Sequence, residues 1–274
     1  MKAIKLILLG VSLFSILPLG AQVFDTPRSL AEADSLDRVQ YRVLYQLDFI
    51  SDPTDREYVT QDQVRLDIGT QISKVYSLRH YQADSAATPL IEAGQSPRKI
   101  VTDVVPPMIL YRGYPKTQDI TTDYRLPAGA PVMSYVEPKP TLQWQVKPEK
   151  REILGHSCQR AEVSFGGRQW IAWFTPEIPL SEGPYKFGGL PGLILEVADS
   201  EGDYRYTCIG ITNLSAGENI VRWKWNQRPT TRKELEKIIV QLYANPEQAI
   251  KALGGRMGFK GDPMLNLPYN PIEK

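Results

Sequence analysis

Tyr41-Arg42-Val43-Leu44-Tyr45-Gln46-Leu47-Asp48-Phe49 sets Tyr41, Val43, Tyr45, Leu47 and Phe49 at every second position, with Arg, Leu, Gln and Asp between them. A period of two is that of a strand with one face buried and one wet. The same alternation recurs at 58–68 and 72–80, more weakly at 108–114, 120–126 and 132–136, and again at 142–146 and 157–165. Gly166-Gly167 then separates two strand-like runs by two residues, a tight-hairpin signal, and its second arm runs over 168–174 with aromatics on both faces. Further strands are expected at 193–198, 204–211 and 219–225. Connections this short favour antiparallel neighbours, because a parallel crossover needs a dozen or more residues. The fold class expected is therefore mainly β (α+β): an antiparallel meander forming a curved sheet or half-barrel, with short C-terminal helices packed on it.

Helix signals are confined to the end. Thr231 with Glu234 three residues on is a capping box, and Leu235, Ile238, Ile239 and Leu242 form one apolar stripe. Asn245-Pro246-Glu247 opens a second short helix ending at Gly254-Gly255. An N-terminal helical turn is expected around 29–36. The stretch 83–107, rich in Pro, Ser and Ala, reads as a long loop.

The 274 residues carry 32 basic and 31 acidic side chains, net +1, with 2 histidines and 2 cysteines. Near-neutral charge gives no broad footprint for nucleic acid and no polybasic membrane patch. Lys2 and Lys5 precede an apolar run over 6–17, then Pro18, Gly20 and Ala21, the pattern of a cleaved export leader. Residues 1–21 are expected to be a signal peptide and 22–274 a single domain. Removing the leader takes two lysines and no acid, leaving 30 against 31, or −1. No cysteine lies near the cut, so a lipoprotein anchor is excluded, and the expected location is the periplasm or the outer-membrane periphery. Exported chains tend to pair their cysteines, so a Cys158–Cys208 disulfide is expected. His156 and Cys158 are too few ligands for a metal, and His80 lies in a distant segment, so no metal and no cofactor are expected.

Candidate chemistry fails its own tests. No G-x-S-x-G elbow and no H-E-x-x-H occurs. Gly188-Gly189-Leu190-Pro191-Gly192 lacks the Lys-Ser/Thr and the following helix of a phosphate loop. Glu177, Glu182, Glu196 and Asp199 could supply an acid and a base for glycoside hydrolysis, but carboxylates near turns are more often solvated. Trp223 and Trp225 around Lys224 could stack single-stranded nucleic acid, yet fit a strand with tryptophans on one face and cations on the other. No nucleic-acid partner is expected.

One segment stands apart. Residues 174–195 pack four prolines and four glycines between two apolar strands, so the connection is stiff and sharply folded. Leu190-Pro191-Gly192-Leu193 suits a type II turn. Two readings are open: a rigid turn built on Gly183, Pro184, Gly189, Pro191 and Gly192, or a shaped loop presenting Tyr185, Lys186, Phe187 and Leu190, beside Trp170 and Trp173, to a ligand or partner.

Gly189-Leu190-Pro191-Gly192-Leu193-Ile194, with the flanks 153–158, 172–179 and 183–187 and the ending Asn270-Pro271-Ile272-Glu273-Lys274, resembles the GLPGLI family of Bacteroidetes. The resemblance implies export and no settled activity. Family genes often sit beside TonB-dependent outer-membrane receptors, which implies an envelope accessory. Asp34-Ser35-Leu36 and Asp84-Ser85-Ala86 are similar to the short O-glycosylation acceptor of the same phylum. The function expected is a non-enzymatic, exported accessory of a TonB-dependent receptor or of envelope assembly. The alternative is a periplasmic carrier of a lipid or other hydrophobic small molecule, and a further alternative is an enzyme of unfamiliar type.

Overall fold

The computed structural model describes residues 26–96, 107–127, 129–214, 217–254 and 266–274; the expected leader, 1–21, lies outside them. Two meanders meet in one sheet. The first is β2 (Tyr41–Phe49), β3 (Thr60–Ile68), β4 (Ser73–Ser77), β5 (Met108–Arg112), β6 (Asp119–Arg125) and β7 (Val132–Pro138). The second is β8 (Gln145–Ile153), β9 (His156–Phe165), β10 (Arg168–Thr175), β11 (Leu193–Asp199) and β12 (Tyr204–Asn213). Antiparallel pairing of β2 with β12, from Tyr41 opposite Asn213 to Phe49 opposite Tyr204, joins them. With β14 (Gln227–Pro229) parallel to β7, the sheet has 12 strands in the order 14-7-6-5-4-3-2-12-11-10-9-8 and does not close into a barrel. A separate ribbon pairs β1 (Ala33–Arg38) with β13 (Asn219–Trp223).

The quoted stretch behaves as its period requires. Val43, Tyr45, Leu47 and Phe49 are buried, while the residues between them are partly exposed. Together with Leu66, Phe174, Leu193 and Val197 they form the main core. Gly166 and Gly167 both take positive φ, 58° and 73°, as a two-residue hairpin turn demands.

The helices α2 (Arg232–Ala244) and α3 (Pro246–Ala252) follow the capping signals. Thr231 caps α2 in a full capping box, and Leu235, Ile239 and Leu242 are buried against Tyr124, Met133 and Tyr135 of the sheet. Two expectations are corrected. Residues 29–36 are not helical: 33–38 form β1. Residues 83–92 of the loop expected over 83–107 belong instead to the helix α1 (Leu78–Glu92), started by Ser77, whose hydroxyl accepts from the His80 amide at 3.2 Å; 97–106 lie outside the described residues. It carries no apolar stripe because its buried side chains are His80, Asp84 and Ala87, and Asp84 is bound to Arg125 at 2.5 Å inside the protein. A polar anchor leaves no periodic trace in the sequence.

The Cys158–Cys208 bridge is also corrected. Both thiols are free and buried. Cys158 lies on β9 and Cys208 on β12, with β10 and β11 between them in the sheet, whereas a disulfide needs Cα atoms within about 7 Å. Burial pushes each thiol up to a pKa of about 11.

Candidate functional site

Residues of the β2–β7 meander, of β12, of α2 and of the C-terminal segment line a cavity of about 780 Å³. That is within the range of small-molecule sites. Its lining is dominated by one residue type. Nine of the chain's 14 tyrosines face it: Tyr58 before β3, Tyr76 on β4, Tyr124 on β6, Tyr135 on β7, Tyr204 and Tyr206 on β12, Tyr185 in the 176–192 connection, Tyr243 on α2 and Tyr269 in the C-terminal segment. Phe49, Val64, Met108, Leu110, Leu235 and Ile239 supply aliphatic and aromatic wall between them. Burial holds the hydroxyls of Tyr124, Tyr185 and Tyr204 well above their ordinary pKa, so they stay neutral and serve as hydrogen-bonding groups on a largely apolar surface that Asp52, Asp55 and Asp62 also reach.

One end of the cavity is charged. Lys186, 3% exposed, puts Nζ 2.6 Å from Glu137 Oε1 and 2.6 Å from Glu273 Oε1. Arg232, in the first turn of α2, reaches Glu273 Oε2 at 2.6 Å and Glu137 Oε2 at 3.5 Å. The Tyr185 hydroxyl donates to the same Glu273 oxygen as Lys186. Burial acts to lower the Lys186 pKa, but Glu273, Tyr135 and Glu137 outweigh it and hold the ammonium above its ordinary value. Burial likewise acts to raise Glu273, and Lys186, with Tyr185 and Arg232, overrides it, so Glu273 is held below its ordinary value. Tyr185 sits at φ 52°, a left-handed backbone that costs a non-glycine residue roughly 1–3 kcal/mol. That conformation aims its hydroxyl at Glu273.

A second ionic group lies behind the C-terminal segment. Asp199, Glu201 and Asp203 bring one oxygen each within 4.8 Å of one another, a set that could hold a metal by its chemistry. Here Arg168 NH1 lies at the middle of it, 2.6 Å from Asp199, 2.8 Å from Asp203 and 3.6 Å from Glu201. Arg168 NH2 donates onward to Asn270 Oδ1 at 2.6 Å and the Pro271 carbonyl at 2.8 Å. The carboxylates are thus already matched by a guanidinium, and the group latches residues 270–271 to the turn after β11.

The 176–192 connection does not project outward. Tyr185, Lys186, Phe187 and Leu190 are all buried. Phe187 lies in the main core, its ring 4.6 Å from that of Trp170 and 6.0 Å from those of Tyr185 and Phe165. Arg112 pins the segment from β5, bonding Glu182 at 2.5 Å and the Phe187 carbonyl at 2.7 Å, and Trp144 Nε1 donates to the Gly188 carbonyl at 2.9 Å. Only Tyr185 and Lys186 of the named loop residues reach the cavity. Trp170 is core, and Trp173 is half-buried beneath Arg151, 4.2 Å from its ring. Pro191 centres a tighter turn than expected: the Gly192 amide donates to the Leu190 carbonyl at 2.8 Å. A Cβ on Gly192 would stand 2.1 Å from the Thr175 carbonyl oxygen, which is why glycine is needed there.

The other sequence candidates do not assemble. Glu177 pairs with His156 at 2.7 Å, Glu182 with Arg112, Glu196 with Arg151 and Arg205, and Asp199 with Arg168, four separate ion pairs rather than an acid and a base facing one substrate. Trp223 is buried against Lys74, whose Nζ is 3.3 Å from its ring centroid, so it offers no stacking platform. Glu137, Arg232, Glu273 and Arg168 went unnoticed in the sequence because each lies on a different element and the four have no common spacing.

Residues 167–196 match the family model described as a protein of unknown function, Porph_ging. That family is associated with Bacteroidetes; the finer GLPGLI assignment has no support of its own. No curated protein matches the chain. Among solved structures, PNGF-II in space group P21 is similar with a TM-score of 0.50 at 12% identity, covering 75% of this chain and 34% of that one. The C2 form gives 0.49 at 12% identity with the same coverage. This chain therefore spans about a third of the length of PNGF-II.

At that identity the likeness concerns fold alone; with it and with the acidic group of Asp199, Glu201 and Asp203, the expectation of a non-enzymatic accessory is withdrawn. Of the converging carboxylates Asp199, Glu201 and Asp203, the sequence singled out Asp199 alone.

Proposed function

We propose that the protein takes an elongated, largely apolar small molecule into the tyrosine-lined cavity. The observation that carries this reading is the cavity itself, about 780 Å³ with nine tyrosines and a wall of Leu, Val, Met and Phe side chains. A space of that size lined by apolar bodies with neutral hydroxyl tips suits a ligand that is mostly hydrocarbon or ring, with few polar groups. The export leader of the sequence supports a place beyond the inner membrane, where such a molecule would need shielding from water in transit. Native mass spectrometry of the protein from envelope extracts, followed by organic extraction, tests it. One hydrophobic molecule per chain is expected. A bare chain that also fails to take up an added apolar fluorophore, while Leu110→Trp and wild type behave alike, would remove the reading.

A second reading is favoured by the polar end of the same cavity: the ligand is a substrate. Lys186 stays cationic, Glu273 anionic and Tyr185 neutral in the folded protein. None is held near neutral pKa for proton transfer, so this trio would act by stabilising developing negative charge with the ammonium and the hydroxyl. Turnover of an extracted ligand by wild type, lost in Lys186→Met when rates are compared per bound ligand, separates substrate from cargo.

A further inference from the structure

We infer that Glu273 occupies the place of a ligand's head group, and that the cavity takes a carboxylate-headed amphiphile; the inference rests on the reading of the cavity as a small-molecule site. Three donors from two distant parts of the chain converge on this one carboxylate: Lys186 Nζ and the Tyr185 hydroxyl from the 176–192 connection, and Arg232 NH2 from α2. Such a set is what a protein builds to hold an anion in a place of low dielectric, with charge-assisted hydrogen bonds at short range. The carboxylate it holds comes from a segment outside every helix and strand, and that segment lies along the cavity wall from Pro268 to Lys274.

Charge balance points the same way. If Glu273 left, Lys186 and Arg232 would share Glu137, with Glu236 bonding Arg232 from the exposed face at 2.7 Å. Lys186 is buried, and a buried ammonium with half its counter-charge removed is costly. Exchange of Glu273 for a carboxylate carried by an incoming molecule restores the balance, while its hydrocarbon body meets the Tyr, Leu and Ile wall. A neutral head group could not do so. The C-terminal segment is then an internal competitor, and the ligand's entry displaces the Glu273 side chain from its donors.

The test is fluorescence titration of the mature protein with cis-parinaric acid and with its methyl ester, the melting temperature being followed to confirm folding. The acid is expected to bind about tenfold more tightly than the ester, the scale of one charge-assisted hydrogen bond. Glu273→Gln, which removes the competing charge and keeps the shape, should tighten the acid about tenfold and leave the ester within twofold. Arg232→Met, at a half-exposed position where folding is tolerant, should erase the preference for acid over ester. Equal binding of acid and ester by wild type and by Glu273→Gln overturns the head-group inference while leaving the cavity as a site for apolar molecules. Equal weakening of both probes by Glu273→Gln also overturns it, since Glu273 would then be a structural latch alone. Failure of both probes to bind any form overturns the cavity reading itself.

Discussion

Arg168→Met tests whether the acidic group behind the C-terminal segment is an ion-pair latch or a metal site. Methionine replaces much of the side-chain volume, so the loss is electrostatic. The variant removes a guanidinium bonded to Asp199 at 2.6 Å, Asp203 at 2.8 Å, Asn270 at 2.6 Å and the Pro271 carbonyl at 2.8 Å. Asp203 keeps Arg56 at 2.7 Å, and Asp199 keeps the Tyr204 amide at 2.9 Å. Stranding a buried carboxylate in this way costs about 3–5 kcal/mol. With a slope of about 2–3 kcal/mol per molar, the urea midpoint should fall by about 1.5 M. Adding Asp199→Asn to the variant should recover at least half of that loss, because the stranded charge goes with it. The pH profile gives an independent reading. Burial acts to raise the Asp203 pKa, but the bonds from Arg168, Asn270 and Arg56 override it and hold the group at about 2. A folded pKa below the unfolded value of about 3.9 means stabilisation that is complete above that value and is lost as pH falls towards 2. The shift corresponds to about 2 kcal/mol, and most of that acid dependence should vanish in Arg168→Met. An Arg168→Met protein within about 1 kcal/mol of wild type would refute the latch. So would a rise in the wild-type melting temperature on adding calcium, which would make the three carboxylates a cation site.

Three further outcomes are expected. Gly192→Ala puts a methyl 2.1 Å from the Thr175 carbonyl oxygen and should destabilise by more than about 2 kcal/mol or abolish soluble expression, as thermal melting of any recovered protein would show. Thr231→Ala breaks the capping box of α2 and should cost about 1 kcal/mol in a urea titration, with an intact far-ultraviolet spectrum. Neither thiol should react with a disulfide reagent in the native protein, since burial and a pKa of about 11 keep both as thiols, while two per chain should react in guanidinium; none reacting there would establish the bridge that the structure lacks.

The sheet was legible because its information is periodic. Tyr41 to Phe49 alternates, Gly166-Gly167 takes the φ values that only a two-residue turn requires, and Thr231 with Glu234 closes its box. What escaped was anchored by single polar contacts between distant elements. The helix α1 has no apolar stripe, since Asp84 bound to Arg125 fixes it. The cavity escaped for a related reason. Tyr124, Tyr135, Tyr204 and Tyr206 occupy ordinary inward positions of their strands, and nothing local distinguishes a tyrosine that faces a void from one that faces a neighbour. The 176–192 connection stands out in the sequence, but its composition alone leaves open whether it is a rigid turn or a loop presenting its side chains outward. Its prolines and glycines make it rigid, and Arg112, 64 or more positions before it in the chain, turns it inward.

The joint between the two meanders carries a consequence for how the molecule comes into being. β2, made near the start, has β3 on one side and must wait for β12, more than 150 residues later, on the other. Until then the apolar row of Val43, Tyr45, Leu47 and Phe49 borders an open row of peptide groups, the type of edge on which chains pair with their neighbours. A version cut before residue 204 would leave that edge open for good and should form aggregates rather than a smaller protein.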